Sequence, residues 1–164
     1  MENGRILVSE KDGTYILKFI GDVRLTLCAT LDEFLESMCQ SDQLKAVLID
    51  LTETDGIDST SLGLLAKISV LSRKKHHLIP TIISTNNDIT RILESMGFHQ
   101  VFVILNKPLT TPINLSELPV IEGSEEVVHR KVLEAHKILM AMNESNKETF
   151  KDLVYTLEGD GKHG

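Results

Sequence analysis

Residues 45–75, KAVLIDLTETDGIDSTSLGLLAKISVLSRKK, decide the fold. Lys45 to Leu51 is a short apolar run bounded by polar residues, which suits a strand buried on both faces. Thr52 to Asp58 reads as a loop, and from Ser59 onward Leu62, Leu65, Ile68, Val70 and Leu71 recur as on a helix ending near Lys75. The basic cluster Arg73, Lys74, Lys75, His76 and His77 then falls at the helix C-terminus, where the dipole favours positive charge and solvent accepts it. Strand, hydroxyl-rich turn and helix together form one βα unit.

The flanking sequence repeats the alternation. Arg5 to Ser9 and Thr14 to Ile20 are β-rich and separated by Lys11-Asp12-Gly13, so they predict a hairpin that ends at Gly21-Asp22. From Thr26 the apolar residues Leu27, Leu31, Phe34, Leu35 and Met38 predict a helix to about Gln40. After the central unit, Ile79 to Ser84 predicts a strand, Ile89, Ile92, Leu93 and Met96 a helix stopped by Gly97, and Val101 to Leu105 a last strand. The order β-β-α-β-α-β-α-β implies an α/β fold: a mixed β-sheet with its helices packed on one side.

The rhythm breaks at 107–123, which holds three of the four prolines and reads as an extended linker. Beyond it, Ser124 with Glu125 and Glu126 predicts a helix start, and Val128, Val132, Ala135, Leu139 and Met142 form an apolar stripe. Ser145 and Glu148 match a capping box ahead of Phe150, Leu153, Val154 and Leu157, with Gly159 closing the second helix. The organisation expected is an α/β domain over 1–106, a linker over 107–123, a helical hairpin over 124–159 and a flexible tail over 160–164. The hairpin stripe, including Leu153, must be covered by the domain or by a second copy, the latter giving a homodimer.

Composition narrows the function classes. With 41% hydrophobic and 25% charged residues and a mean hydropathy of zero, the chain has the balance of a soluble globular protein. Neither a run of roughly 18 apolar residues nor a secretory h-region occurs, so cytoplasmic residence is expected. A net charge of -7 and a pI near 5.3 argue against a nucleic-acid surface. Cys28 and Cys39, on one expected helix, lie about 16 Å apart, beyond the roughly 7 Å reach of a disulfide, and are read as reduced core thiols.

Catalysis is not expected. The sequence lacks a Gly-rich phosphate loop, HExxH and CxxC, and His76-His77 cannot both face one metal from a helix. His129 and His136 share a helix face about two turns apart and read as surface histidines, so neither a metal nor a cofactor is expected.

The segment that carries function is Asp55-Gly56-Ile57-Asp58-Ser59-Thr60-Ser61-Leu62-Gly63. A hydroxyl at this turn sits where free helix N–H groups converge, which suits a phosphate; equally, Asp58 or Ser59 serves simply as an N-cap. The element order and this motif together resemble the STAS domain of anti-sigma factor antagonists, whose second helix opens with D-S-S/T-G-L-G and is phosphorylated on the first serine. In that resemblance Asp58 matches the aspartate, Ser59 the phosphoacceptor, Thr60 the next hydroxyl residue, and Leu62 and Gly63 the L-G. Gly21-Asp22 resembles the start of the family's G-E-L-D, and Leu93 to Phe98 a similar glycine-containing helix end.

Two residues depart from the pattern. Ser61 replaces the family's first glycine, and Arg24 stands at the last aspartate of G-E-L-D, where it either meets a phosphate on Ser59 or is a solvated turn residue. The resemblance implies a phosphoprotein of signal transduction and transcription regulation that works by partner switching. Its partner-binding face would comprise Asp22, Arg24, Asp58, Thr60, Ser61, Leu62 and Gly63. The partners implied are a histidine-kinase-like serine kinase that doubles as an anti-sigma factor, released on phosphorylation, and a PP2C-type serine phosphatase. The competing reading is a STAS scaffold or small-ligand-binding regulatory module, for example in biofilm or stress signalling, without a sigma-factor partner.

Overall fold

The computed structural model describes residues 3–110 and 113–163, with side chains to 159. Strand β1 (Arg5–Lys11) turns at Asp12-Gly13 into β2 (Thr14–Val23), and both turn residues take positive φ (51° and 87°), the conformation of a tight hairpin turn. A 3₁₀ turn (Leu25–Leu27) leads into α1 (Cys28–Gln40), followed by β3 (Ala46–Ile57), α2 (Ser59–His76), β4 (Thr81–Ile83) and α3 (Asn87–Ser95). A second 3₁₀ turn (Phe98–Gln100) precedes β5 (Val103–Leu105); then come β6 (Ser116–Glu117), α4 (Glu125–Met142) and α5 (Glu144–His163).

The sheet order is β5-β4-β3-β2-β1-β6, parallel from β2 to β5 and antiparallel on both sides of β1. This is the mixed sheet with helices on one side that the alternation predicts. Its core runs through Leu17 and Phe19 of β2, Ile49 and Leu51 of β3, Leu31 and Leu35 of α1, and Leu62, Leu65 and Ile68 of α2. Ala135, Leu139 and Phe150 of the C-terminal helices join the same cluster. Cys28 and Cys39 are free and buried in α1.

Three expectations change at the boundaries. The stretch 52–58 is not a loop: β3 continues to Ile57, and β2 passes Gly21-Asp22 to reach Val23, pairing Asp22 with Gly56 and Val23 with Ile57. Irregular register beside Gly21, whose φ is 82°, lets β2 continue past its regular pairing. The linker is not wholly extended coil, because Ser116–Glu117 adds an edge strand to β1. Finally α5 is capped by the Asn143 side chain, which accepts from the Asn146 N–H at 2.8 Å, and its backbone is not closed at Gly159 but runs on as helix to His163. Gly164 lies outside the described residues.

Candidate functional site: the start of helix α2

The extended β2–β3 pair delivers two turns side by side, and the site is built from both. Asp58 caps α2, its Oδ1 accepting from the Ser61 N–H at 2.8 Å, while its Oδ2 accepts from the Leu25 N–H at 2.7 Å. One carboxylate thereby satisfies the starts of α2 and of the 3₁₀ turn before α1. Asp22 lies against Gly56, where a Cβ would come within 2.8 Å of its Oδ1. Arg24 Nε donates to Asp22 Oδ2 at 2.8 Å, and the Arg24 side chain is 59% exposed. The bond and charge of Asp22, with a further attraction from Asp58, raise the Arg24 pKa above its ordinary value. Arg24 is therefore a solvated, ion-paired turn residue next to the motif.

Ser59 opens α2 and is half-buried, because something covers it. Its Oγ lies 2.7 Å from His136 Nε2 on α4. His136 Nδ1 is 2.7 Å from the Val132 carbonyl, which can only accept, so Nδ1 carries the proton. In the neutral ring Nε2 is then the acceptor, and the Ser59 hydroxyl donates to it. The imidazole is 2% exposed and packs edge-on against Phe150, with ring centroids 5.2 Å apart. His136 is thus no surface histidine, and His129 too has its Nε2 buried without a hydrogen-bond partner.

The rest of the expected partner-binding face is also inside. Thr60, Ser61 and Leu62 are 2–3% exposed, and Gly63 is buried directly against Ala135. Asp22, Arg24 and Asp58 remain at the surface, so the structure splits the predicted set into an accessible turn and a covered helix face.

An ionic cluster one turn further along α2 completes the contact. Lys67 Nζ donates to Asp32 of α1 at 2.8 Å, to Glu36 of α1 at 2.8 Å and to Glu134 of α4 at 2.5 Å, and Lys131 of α4 donates to the second oxygen of Asp32 at 2.5 Å. Burial opposes charge on Asp32 and on Lys67, but the hydrogen bonds outweigh it. The Asp32 carboxyl is held below its usual range, and Lys67 is held well above the ordinary lysine value. Lys67 sits within the apolar run LLAKISV, and a lysine at a core position of a helix is the signal by which sequence reading could have found this cluster.

A family model for the STAS domain matches residues 5–117. The chain belongs to the STAS domain family. The match includes β6 and stops before α4, so the helical hairpin lies outside the matched residues. No curated protein matches the chain. Among solved structures it is similar to the unphosphorylated form of the anti-sigma factor antagonist SpoIIAA (TM-score 0.54, 8% identity, covering 63% of this chain and 89% of that one). An anti-sigma factor antagonist from Mycobacterium paratuberculosis gives 0.55 and 18%, covering 64% and 87%. A Thermotoga maritima protein described as a candidate antagonist gives 0.54 and 17%, covering 61% and 85%. At these identities the likeness is one of fold. Among the described residues, no helix is long and apolar enough to cross a membrane.

Proposed function

We propose that this STAS protein is a phosphorylation-controlled protein–protein switch with Ser59 as its phosphoacceptor. One observation carries the reading: Ser59 occupies the first turn of α2, directly after the capping Asp58, at the position where the family motif has its acceptor. A phosphate there meets the free N–H groups and the positive end of the helix dipole. Thr60, the neighbouring hydroxyl, is 3% exposed and is a poorer target than the half-buried Ser59.

The partner fitting this reading is a histidine-kinase-like serine kinase acting as an anti-sigma factor. It binds the unmodified chain and is released by the phosphate, and a PP2C-type phosphatase restores binding. Wild type, Ser59→Ala and Thr60→Ala are incubated with a candidate histidine-kinase-like serine kinase from the same host and ATP, and phosphate incorporation is mapped. Incorporation lost only in Ser59→Ala supports the proposal. Loss only in Thr60→Ala moves the acceptor by one residue, and a wild-type chain that takes up no phosphate, also when isolated from its host, overturns the switch.

A further inference from the structure

The helical hairpin lies on the Ser59 face of the domain. Helix α4 packs on α2 and α1, and α5 packs on α4. Three kinds of contact fix α4 there. His136 receives the Ser59 hydroxyl, the Ala135 backbone fits against Gly63, and Glu134 and Lys131 close the ion cluster around Lys67 and Asp32. All three fall on residues 131–136, a turn and a half of helix aimed at the first half of α2. The hairpin follows the sheet through a segment, 106–123, whose described residues carry regular structure only at Ser116–Glu117, so α4 and α5 contribute no strand to the sheet.

We propose that the α1–α2 face around Ser59 is an interaction surface that α4 occupies in cis, and that a phosphate on Ser59 evicts this helix. The trigger rests on the phosphoacceptor reading above; the occupied surface does not. A phosphoryl group adds three oxygens and about two negative charges where the hydroxyl now touches His136 at 2.7 Å. The gap has no room for it, and backbone contact at Gly63 stops α4 from shifting closer to α2 elsewhere. The lysines of this contact do not offset the added charge. Lys67 and Lys131 are already held by carboxylates, and Asp58 adds a negative charge beside the phosphate. Arg24 is likewise already paired, with Asp22 at the exposed turn.

A partner that docks on this face must therefore displace α4. The helix it presents has to copy what α4 offers, a small residue against Gly63 and a carboxylate for Lys67. The hairpin is a resident competitor that sets a threshold for that exchange.

The test uses the full chain with phosphoserine inserted at position 59 during translation, which needs no kinase, and compares amide hydrogen exchange with wild type and Ser59→Ala. Exchange in α4 and α5 is expected to accelerate at least tenfold in the phosphoserine chain while β2 and β3 stay protected, with a smaller rise in Ser59→Ala. Unchanged protection of α4 overturns the proposal. So does an equal rise in Ser59→Ala, which would make the hydrogen bond rather than the phosphate decisive, or loss of protection in the sheet, which would make hairpin and domain one folding unit. None of these outcomes depends on whether a kinase reaches Ser59, so failure here is distinguishable from failure of the phosphoacceptor reading.

Discussion

A Cβ added to Gly63 would lie 2.3 Å from the carbonyl oxygen of Ala135, so α2 and α4 meet there backbone to backbone. The glycine of the family motif serves in this chain as the seat of an additional helix. In an exposed helix Gly→Ala gains about 1 kcal/mol from propensity. Here the methyl group must push α4 away, and overpacking of this kind costs about 1–3 kcal/mol. Gly63→Ala is therefore expected to lower stability to chemical denaturation, by up to about 2 kcal/mol. A stabilised variant would mean that the helices are not in contact at Gly63.

Lys67 links α1, α2 and α4 through three carboxylates, of which Asp32 is 4% exposed and Glu36 and Glu134 about half exposed. Removing one partner of a buried pair costs about 3–5 kcal/mol, and Lys131, which keeps its contact with Asp32, places Lys67→Met at roughly the lower end. Urea unfolding of the two chains measures the loss, and a change under about 1 kcal/mol would show that solvent replaces the lysine.

The same cluster predicts a pH dependence. The Asp32 carboxyl is depressed in the folded chain despite burial, so its contribution is fully present above the unfolded aspartate value of about 3.9 and is lost as pH falls through the lower folded value. Lys67 is raised, so its contribution is full below about 10.4 and fades only in stronger alkali. Stability should thus fall below about pH 4, and the fall should be shallower in Asp32→Asn. Parallel acid-unfolding curves for the two chains would remove Asp32 from the account.

Asp58 holds two element starts through one carboxylate, at 2.8 Å from the Ser61 nitrogen and 2.7 Å from the Leu25 nitrogen. An N-cap is worth about 0.5–2 kcal/mol, and the second bond puts Asp58→Ala at about the upper end. Asp58→Asn should recover part of the loss, since its amide oxygen still caps α2. If alanine and asparagine behave alike at neutral pH, the carboxylate charge rather than the capping geometry is what matters.

The sheet and its helices are legible because their signals are local: turn residues at Asp12-Gly13, a short apolar run at 45–51, and apolar spacing along α1 and α2. The extension of β3 through Thr52–Ile57 is not. Its residues TETDGI carry polar side chains of loop character, and only the partner strand, with Thr54 Oγ1 donating to the Phe19 carbonyl at 2.8 Å, holds them extended. The site divides in the same way. Asp58 and Ser59 are readable from the motif, whereas the seven-residue spacing from His129 places His136 on a helix face without saying what covers that face, and the ring is in fact buried. The partner of Ser59 lies 77 residues away, across a linker whose geometry no local pattern encodes.

Truncation after Pro119 removes the hairpin but keeps β6 and the whole region matched to the STAS domain. The shortened chain loses the cover of Leu139 and Phe150 on the shared core, and each such side chain is worth about 1.5–3 kcal/mol when buried. It should fold with the same sheet signature in circular dichroism, but about 3–6 kcal/mol less stably. Loss of the strand signal altogether would place the domain boundary after the hairpin.

Substitutions at Ser59 separate charge from shape. Ser59→Ala removes the acceptor and the donor to His136, leaving the buried Nε2 unpaired at a cost of about 1–3 kcal/mol, so it should loosen α4 slightly and keep the neutral partner-binding form. Ser59→Asp supplies one charge where phosphoserine supplies about two, and its carboxylate reaches little beyond the hydroxyl it replaces. It should therefore imitate the phosphorylated chain incompletely, both in releasing the hairpin and in repelling the partner. Partner affinity is expected to rank Ser59→Ala above Ser59→Asp, and Ser59→Asp above the phosphoserine chain, in titrations of the purified full-length proteins. Equal affinity of Ser59→Ala and the phosphoserine chain would sink the charge mechanism. An aspartate as effective as phosphoserine would instead show that a single charge at the start of α2, without the bulk of a phosphoryl group against His136, is enough to throw the switch.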